Sequence, residues 1–323
     1  MPDQTIRLLA PAPFCLKSIA LSHGWHECAP FSWSEGGRCL QYVARRGREA
    51  FRIAMTQGGA RRGRVDLAVR VMDVALSNDE LQQVEADVRH MLRLDEDYSE
   101  FHTLCRLHDH LRPVETVGAG RLLRSPSLYE DTIKTICGTN VNWTQAVKMI
   151  NRVAQLGPCV PNFRHLNAWP TPTEILKAGE AYLTDVCRLG YRSASILRLC
   201  ADVRARKLDL DAIRLAAADP GVDSAAVVAL LRRIHGVGEA SAHFLLATLG
   251  RYDLLGIDSW TLTYVGRVHF GGRKPTPRQV RKVYEPFGRY QHLAWWCEQW
   301  LTWGTAREIL HEHGLPPMGE PMF

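Results

Sequence analysis

The chain has no apolar run of membrane-spanning length, and its N-terminus shows no basic stretch leading into a long apolar one. Neither a bilayer span nor a secretion signal is therefore expected, and an intracellular protein is the default, in the cytoplasm or nucleoid of a bacterium or the nucleus of a eukaryote. Cys-x-x-Cys pairs are missing as well. The nine cysteines, an odd number, lie scattered between Cys15 and Cys297, which argues against a disulfide framework or a zinc ribbon and points to buried reduced thiols. None of the thirteen histidines stands in a His-Glu-x-x-His spacing, the arrangement that sets two imidazoles on one helix face. His108-Asp109-His110 and His311-Glu312-His313 read accordingly as surface or core histidines. Low-complexity linkers and long-period repeats are also lacking.

What is present is a chain of 323 residues, 46% of them apolar, able to build a sizeable core and two or three domains or subdomains. The net charge of +6 is compatible with a polyanionic partner without requiring one. From about Phe14 to Asp73 apolar residues alternate: Leu40, Tyr42 and Ala44, then Phe51, Ile53 and Met55, then Val65, Leu67, Val69 and Val71. Turn-like residues 45–48 and 57–64 separate these runs, which predicts a small antiparallel sheet. The arginines of the turns (Arg45, Arg46, Arg48, Arg61, Arg62 and Arg64) suit solvated hairpin tips, with phosphate contact as the alternative.

Ser77 and Glu80 form a capping-box pattern ahead of Leu81, Val84, Val88 and Met91 at helical spacing. Beyond them the chain reads as nearly all helix. The looser residues 112–124, with Pro113, Gly118 and Gly120, place the main boundary there, giving a β-rich domain over 1–112 with trailing helices and a helical region over 113–323. The fold class is mainly α with a β-rich N-terminal domain, α+β. Residues 125–157 read as helix, polar break and helix, the break being Gly138-Thr139-Asn140-Val141-Asn142, and Asn142 with Gln145 makes an Asn-x-x-Gln variant of the capping box. Leu189-Gly190-Tyr191-Arg192 interrupts another helix pair. Tyr191 can stack on a base while Arg192 reaches its edge or a phosphate, or the tyrosine can simply close a core. Thr276-Pro277-Arg278-Gln279 is a further capping box, opening a helix that carries Arg278, Arg281 and Lys282. A last helix over residues 290–303 sets Trp296, Trp300 and Trp303 on one face, either a packed core or a base-stacking pocket.

Between these lies LRRIHGVGEASAHFLLATLGRYDLLGIDSWTLTY, starting at Leu231. Gly236-Val237-Gly238 sits between two apolar helical segments, so the second helix begins with unpaired backbone amides beside a glycine turn, an arrangement suited to one phosphate oxygen. Asp258 stands where a further helix starts. Singly, a Gly-x-Gly turn joins ordinary helices, and an aspartate before a helix is an N-cap.

Together, the hairpin at about 228–250 and the aspartate loop at 253–260 resemble the signature of the helix-hairpin-helix (HhH-GPD) DNA glycosylase superfamily. Gly120-Arg121-Leu122-Leu123-Arg124, Ile136-Cys137-Gly138-Thr139-Asn140-Val141-Asn142, Leu189-Gly190-Tyr191-Arg192, Gly236-Val237-Gly238 and Ile257-Asp258 follow the order and spacing of the 8-oxoguanine DNA glycosylases and look like the related 3-methyladenine DNA glycosylases II. The resemblance implies two helical subdomains flanking a DNA cleft, a monomer, and excision of a damaged base flipped out of double-stranded DNA. It implies Asp258 as the catalytic carboxylate, Gly236 and Gly238 as the backbone grip with a monovalent cation at the hairpin backbone, and Asn140, Tyr191 and Arg192 as residues at the vacated position and its partner base.

The departures from the family carry their own expectations. Ala240 stands where the 8-oxoguanine enzymes have a nucleophilic lysine, which implies hydrolysis by water unless Lys134, Lys148 or another lysine reaches the pocket. Gln145 replaces an arginine that contacts the orphan cytosine, and Phe244 replaces a pocket cysteine. With Trp296 as a further pocket candidate, this fits cationic alkylated purines, 3-methyladenine foremost. Hypoxanthine, uracil, an oxidised purine and a DNA clamp without catalysis stay open. Cys297 stands alone, so no iron–sulfur cluster is expected, nor any other cofactor or side-chain metal site.

Overall fold

A computed structural model describes residues 3–318. Five antiparallel strands, β1 (Gln4–Pro11), β2 (Phe31–Ser34), β3 (Cys39–Arg46), β4 (Glu49–Arg61) and β5 (Arg64–Met72), form one sheet in the order β1-β5-β4-β3-β2. The register sets the alternating apolar residues opposite one another: Leu40 faces Met55, Tyr42 faces Ile53, Ile53 also faces Val71, and Leu8 faces Leu67. A slip of one residue would turn this whole row away from the core.

The sheet begins earlier than residue 14. On β1, Leu9 is 54% exposed, and this outward leucine masks the alternation of Ile6, Leu8 and Ala10 that would have marked a strand. β2 spans four residues, too few to show a period. Residues 57–64 are not a loop: β4 runs on to Arg61 through a register shift between Gln57 and Ala60. The turn shrinks to Arg62 and Gly63, both at positive φ (47° and 73°), as a two-residue hairpin requires.

The chain divides into two compact units, Met1–Asp97 with Val117–Asp209, and Tyr98–Thr116 with Leu210–Phe323. A single cut between residues 112 and 113 therefore does not separate them. In the first unit the reason is visible in the helix Leu128–Cys137, almost wholly buried. Its polar groups are met by the sheet side: Tyr42 Oη donates to Glu130 Oε2 at 2.8 Å and Trp25 Nε1 donates to Asp131 Oδ1 at 2.7 Å. Arg45, rather than decorating a hairpin tip, donates to Glu174 Oε2 at 2.9 Å. A small hairpin of β6 (Cys159–Val160) and β7 (Phe163–Asn167) adds Val160, with Ala168 just beyond it, to a cluster with Val43 and Ala50. The sheet completes its core only with residues far along the chain.

The helix Asn78–Leu92 carries the Ser77/Glu80 capping box formed in both directions. The second unit is helical throughout its regular structure: Ser99–Arg106, Leu210–Ala218, Ser224–Arg232, Glu239–Thr248, Ser259–His269, Pro277–Tyr284, Gln291–Trp300 and Gly304–Glu312 are its longer helices. The aromatic helix expected over 290–303 stops at Trp300, and Trp303 becomes the N-cap of Gly304–Glu312. His108 packs on Phe287 with ring centroids 4.5 Å apart, and His110 lies 3.5 Å from Glu298 Oε1. All nine cysteines are free thiols, and all but Cys15 and Cys159 are buried. Among the described residues no helix is long and apolar enough to cross a membrane.

Candidate active site

The hairpin of the second unit is built from two helices and a six-residue turn. Asp223 Oδ1 accepts the Ala225 amide at 3.1 Å to start Ser224–Arg232, and the chain then turns through residues 233–238. Gly236 sits at φ +89°, a conformation that side chains rarely adopt. Val237 turns inward and is buried, while its amide donates to the Ile234 carbonyl at 3.0 Å. Gly238 differs from Gly236. Its φ of −83° is ordinary, it N-caps Glu239–Thr248 without any side-chain cap, and a β-carbon there would meet nothing within 4 Å. The first amides of that helix are left without a side-chain cap beside an open glycine, at the end where the helix dipole favours an anion.

The loop to Asp258 is pinned at several points. Ser224 Oγ donates to Asp253 Oδ1 at 2.8 Å, Tyr252 and Tyr98 share a hydroxyl–hydroxyl hydrogen bond of 2.9 Å, and the His292 amide donates to the Tyr252 carbonyl at 2.8 Å. Gly256 packs directly on the hairpin's second helix: a β-carbon on it would lie 3.0 Å from His243 Cβ and 3.6 Å from the Ala240 carbonyl oxygen. Asp258 follows, exposed, at φ −116° and ψ −173°, as N-cap of Ser259–His269. Its Oδ1 accepts the Thr261 amide at 2.8 Å and the Thr261 hydroxyl at 2.9 Å. Among the described residues no hydrogen bond reaches Oδ2. The carboxylate therefore caps a helix with one oxygen and presents the other.

Phe244 and Trp296, taken from the sequence as pocket candidates, are neighbours, with ring centroids 6.0 Å apart at 46°. Trp296 stacks on His292 at 6.3 Å and 4° and meets Trp303 edge-on at 5.9 Å. Trp300 is buried instead. Burial lowers the His292 pKa to about 3, with His243 adding to the shift, so this imidazole is neutral at physiological pH. Three residues escaped sequence reading here: His292, Trp260 and Gln299. Trp260 Nε1 donates to Gln299 Oε1 at 2.9 Å, which orients the buried amide and leaves its Nε2 without a partner among the described residues. A glutamine on an aromatic helix face gives no sequence signal, because its meaning lies in a bond to a residue on another helix.

In the first unit the structure brings Asn140, Tyr191 and Arg192 together. Asn140, at φ +52°, donates from Nδ2 to Tyr191 Oη at 3.1 Å, and Thr139 Oγ1 lies 3.4 Å from the same oxygen. These bonds, that from Thr139 first, lower the Tyr191 pKa. The ring is 63% exposed and lies over the Arg192 guanidinium, whose Cζ is 4.5 Å from its centroid. Arg192 itself is buried. It donates to the Thr139 carbonyl through Nε at 3.1 Å and through Nη2, and to the Leu189 carbonyl through Nη1 at 3.2 Å. Gln145 stands apart with an exposed side chain that joins none of these bonds. Only half of the expected Asn142/Gln145 capping box forms, the Gln145 amide donating to Asn142 Oδ1 at 2.9 Å.

The two lysines named from sequence differ in kind. Lys134 is buried, donating to Glu130 Oε1 at 2.6 Å and Ser125 Oγ at 3.2 Å, with its ammonium 4.8 Å from the Phe31 ring centroid. Removing one partner of such a pair leaves a buried charge uncompensated, so its amine is structural. Lys148 lies exposed on Trp143–Ala154.

No family model and no curated protein sequence matches the chain. Solved structures do. The 3-methyladenine DNA glycosylase from Archaeoglobus fulgidus superimposes with a TM-score of 0.71 at 19% identity, over 91% of this chain and 97% of that one. The 8-oxoguanine glycosylase/lyase of Clostridium acetobutylicum in its apo form gives a TM-score of 0.66 at 16% identity, over 93% and 97%. The chain has the fold of the helix-hairpin-helix DNA glycosylases. The Clostridium protein in complex with double-stranded DNA containing cytosine opposite 8-oxoguanine also matches, with a TM-score of 0.65 at 17% identity, over 91% and 92%. Within this glycosylase fold the helical hairpin and the aspartate-capped helix that follows it form one continuous segment of the second unit.

Proposed function

We propose that the chain is a monofunctional DNA glycosylase that hydrolyses the N-glycosidic bond of an alkylated purine, 3-methyladenine being the leading substrate. The observation that carries the reading is the half-used carboxylate of Asp258, held by Thr261 at the start of a helix and joined through Gly256 to the Glu239–Thr248 helix that opens at Gly238. The Archaeoglobus enzyme, named for 3-methyladenine, supports the substrate class, and the DNA-bound Clostridium enzyme supports the partner.

The chemistry follows from charge. As the base departs with the electron pair of its C1′–N bond, positive charge builds on the deoxyribose, and a fixed carboxylate oxygen stabilises that state more than the ground state. Water then forms the new C1′–O bond and releases a proton to the carboxylate or to solvent. Ala240 offers no amine to attack in water's place. Gly238's uncapped helix start grips a backbone phosphate. Its open surroundings and the backbone carbonyl oxygens of the turn 233–238 suit a hard monovalent cation, which would join the backbone to that phosphate.

Base extrusion takes a few kcal/mol, and groups that occupy the vacancy offset part of it. Asn140 and the exposed Tyr191 ring, joined by their hydrogen bond and backed by Arg192, supply such groups. Phe244, Trp296 and the neutral His292 favour a cationic base, since an aromatic face attracts positive charge and an uncharged imidazole does not repel it. A second reading, a keto-bearing lesion such as hypoxanthine or an oxidised purine, rests on Gln299 Nε2, an oriented donor without an acceptor. We place the enzyme inside the cell, acting as a monomer on duplex DNA.

The test is incubation of the purified protein with duplexes that each carry one lesion, with and without hot alkali. Strand breaks at 3-methyladenine only after alkali are expected. Breaks without alkali, with a borohydride-trapped adduct, would overturn the water mechanism. Binding with no excision of any lesion would favour the clamp.

A further inference from the structure

From Ser259 to Tyr284 the chain contains no aspartate or glutamate, yet six cations: Arg267, Arg273, Lys274, Arg278, Arg281 and Lys282. All six are exposed. Four arginines elsewhere in the same unit have carboxylate partners: Arg106 has Glu115 at 2.5 Å, Arg112 has Asp109 at 2.6 Å, Arg214 has Asp211 at 3.5 Å, and Arg289 has Glu100. The side chains of Lys274, Arg278, Arg281 and Lys282, by contrast, make no ion pair or hydrogen bond among the described residues. Arg232 and Arg233, beside the hairpin turn, share that condition. Among the described residues, exposed cations whose side chains have no partner thus occur both beside the hairpin and in this segment.

The segment is rigidly displayed. Gly271 and Gly272, at φ +58° and +85°, turn the chain back on the Ser259–His269 helix. The Gly272 amide donates to the Gly266 carbonyl at 3.0 Å, and a β-carbon on Gly266 would come within 2.8 Å of the Arg273 carbonyl oxygen. Pro277–Tyr284 then starts from a complete Thr276/Gln279 capping box. Val280 and Tyr284 bury its inner face, while Arg278, Arg281 and Lys282, at i, i+3 and i+4, share its outer one. Like charges at these spacings repel one another, so a polyanion that neutralises them gains what the free protein gives up.

We propose that this face is a second phosphate-contacting surface for duplex DNA, independent of sequence and separate from the hairpin. It rests on the DNA reading above and adds to it a second place where the backbone is held.

The test replaces Arg278, Arg281 and Lys282 together by alanine, and separately Arg232 and Arg233 by alanine. Binding of undamaged duplex is measured from roughly 50 to 200 mM salt. The triple variant is expected to lose about 2 to 3 units from the slope of log affinity against log salt, since each phosphate contact contributes about 0.9. Duplex affinity falls about tenfold or more at the low-salt end, while single-turnover excision at saturating protein is unchanged. An unchanged slope in the triple variant, with affinity lost in the hairpin variant, overturns this inference and leaves the DNA reading intact. A parent chain whose duplex affinity is weak and flat with salt overturns both. Loss in the triple variant of binding to vesicles containing anionic lipid, with duplex binding untouched, assigns the face to a membrane instead.

Discussion

Asp258 Oδ1 accepts two hydrogen bonds from Thr261, one from the amide at 2.8 Å and one from the hydroxyl at 2.9 Å. The amide bond is an ordinary helix cap, but the hydroxyl bond fixes the torsion of the carboxylate and so the direction of its second oxygen. Thr261 is fully buried. Thr261→Val keeps the amide bond and the shape and removes only the hydroxyl. Hydrogen bonds to charged groups are worth about 1.5–3 kcal/mol, so the single-turnover rate should fall about tenfold or more with duplex affinity little changed. Thr261→Ser should restore it. Equal rates in all three proteins would mean that the hydroxyl has no positioning role.

Asp258→Asn separates capping from catalysis, because asparagine caps a helix about as well as aspartate. Excision is expected to disappear while the melting temperature and duplex affinity stay close to those of the parent. Turnover that survives this change would remove Asp258 from the mechanism.

Gly256→Ala pushes a methyl group to 3.0 Å from His243 Cβ and 3.6 Å from the Ala240 carbonyl oxygen. The aspartate loop must back away by a few tenths of an ångström. We expect about 1 kcal/mol of lost stability and a larger relative loss of turnover, read from denaturant melts and single-turnover kinetics on the same preparation. A loss confined to stability would show that the loop tolerates displacement.

Burial holds His23 and His292 near a pKa of about 3, against 6.5 for a free imidazole. Between those values the unfolded chain binds more protons than the folded one. The stability that these neutral rings contribute is complete above pH 6.5 and is lost as pH falls toward 3, at up to about 1.4 kcal/mol per pH unit for each ring. His292→Phe should flatten the pH dependence by one proton in urea melts between about pH 8 and about pH 5. An unaltered slope would show that His292 does not titrate on unfolding in this window.

Much of the second unit is legible in its local sequence. The Thr276/Gln279 box, the glycine turn at Gly236 and the start of a helix at Asp258 each involve residues no more than a few positions apart. The same holds for the strand rows of Leu40, Tyr42 and Val65 to Val71. Where an outward leucine interrupted the alternation, as Leu9 does on β1, the strand vanished from the pattern although its pairing with β5 is complete. Trp303 was readable as a helical neighbour of Trp296, and it is a neighbour, but from the cap of a separate helix.

The sequence by itself determined where helices begin, which faces of the strands turn inward, that an aspartate follows a glycine hairpin, and that no lysine stands at residue 240. These depend on backbone geometry and side-chain periods that repeat within one or two turns. Tertiary structure alone decided that Tyr98–Thr116 joins the C-terminal helices, that Lys134 is enclosed by Glu130 and aromatic rings, that Asn140 meets Tyr191, and that Gln299 is oriented by Trp260. Apart from Lys134 and Glu130, one turn apart on the same helix, those pairings join residues distant in the chain. What selects them is the joint requirement to bury apolar surface and to leave few polar groups unpaired, and that requirement is met by the folded chain as a whole.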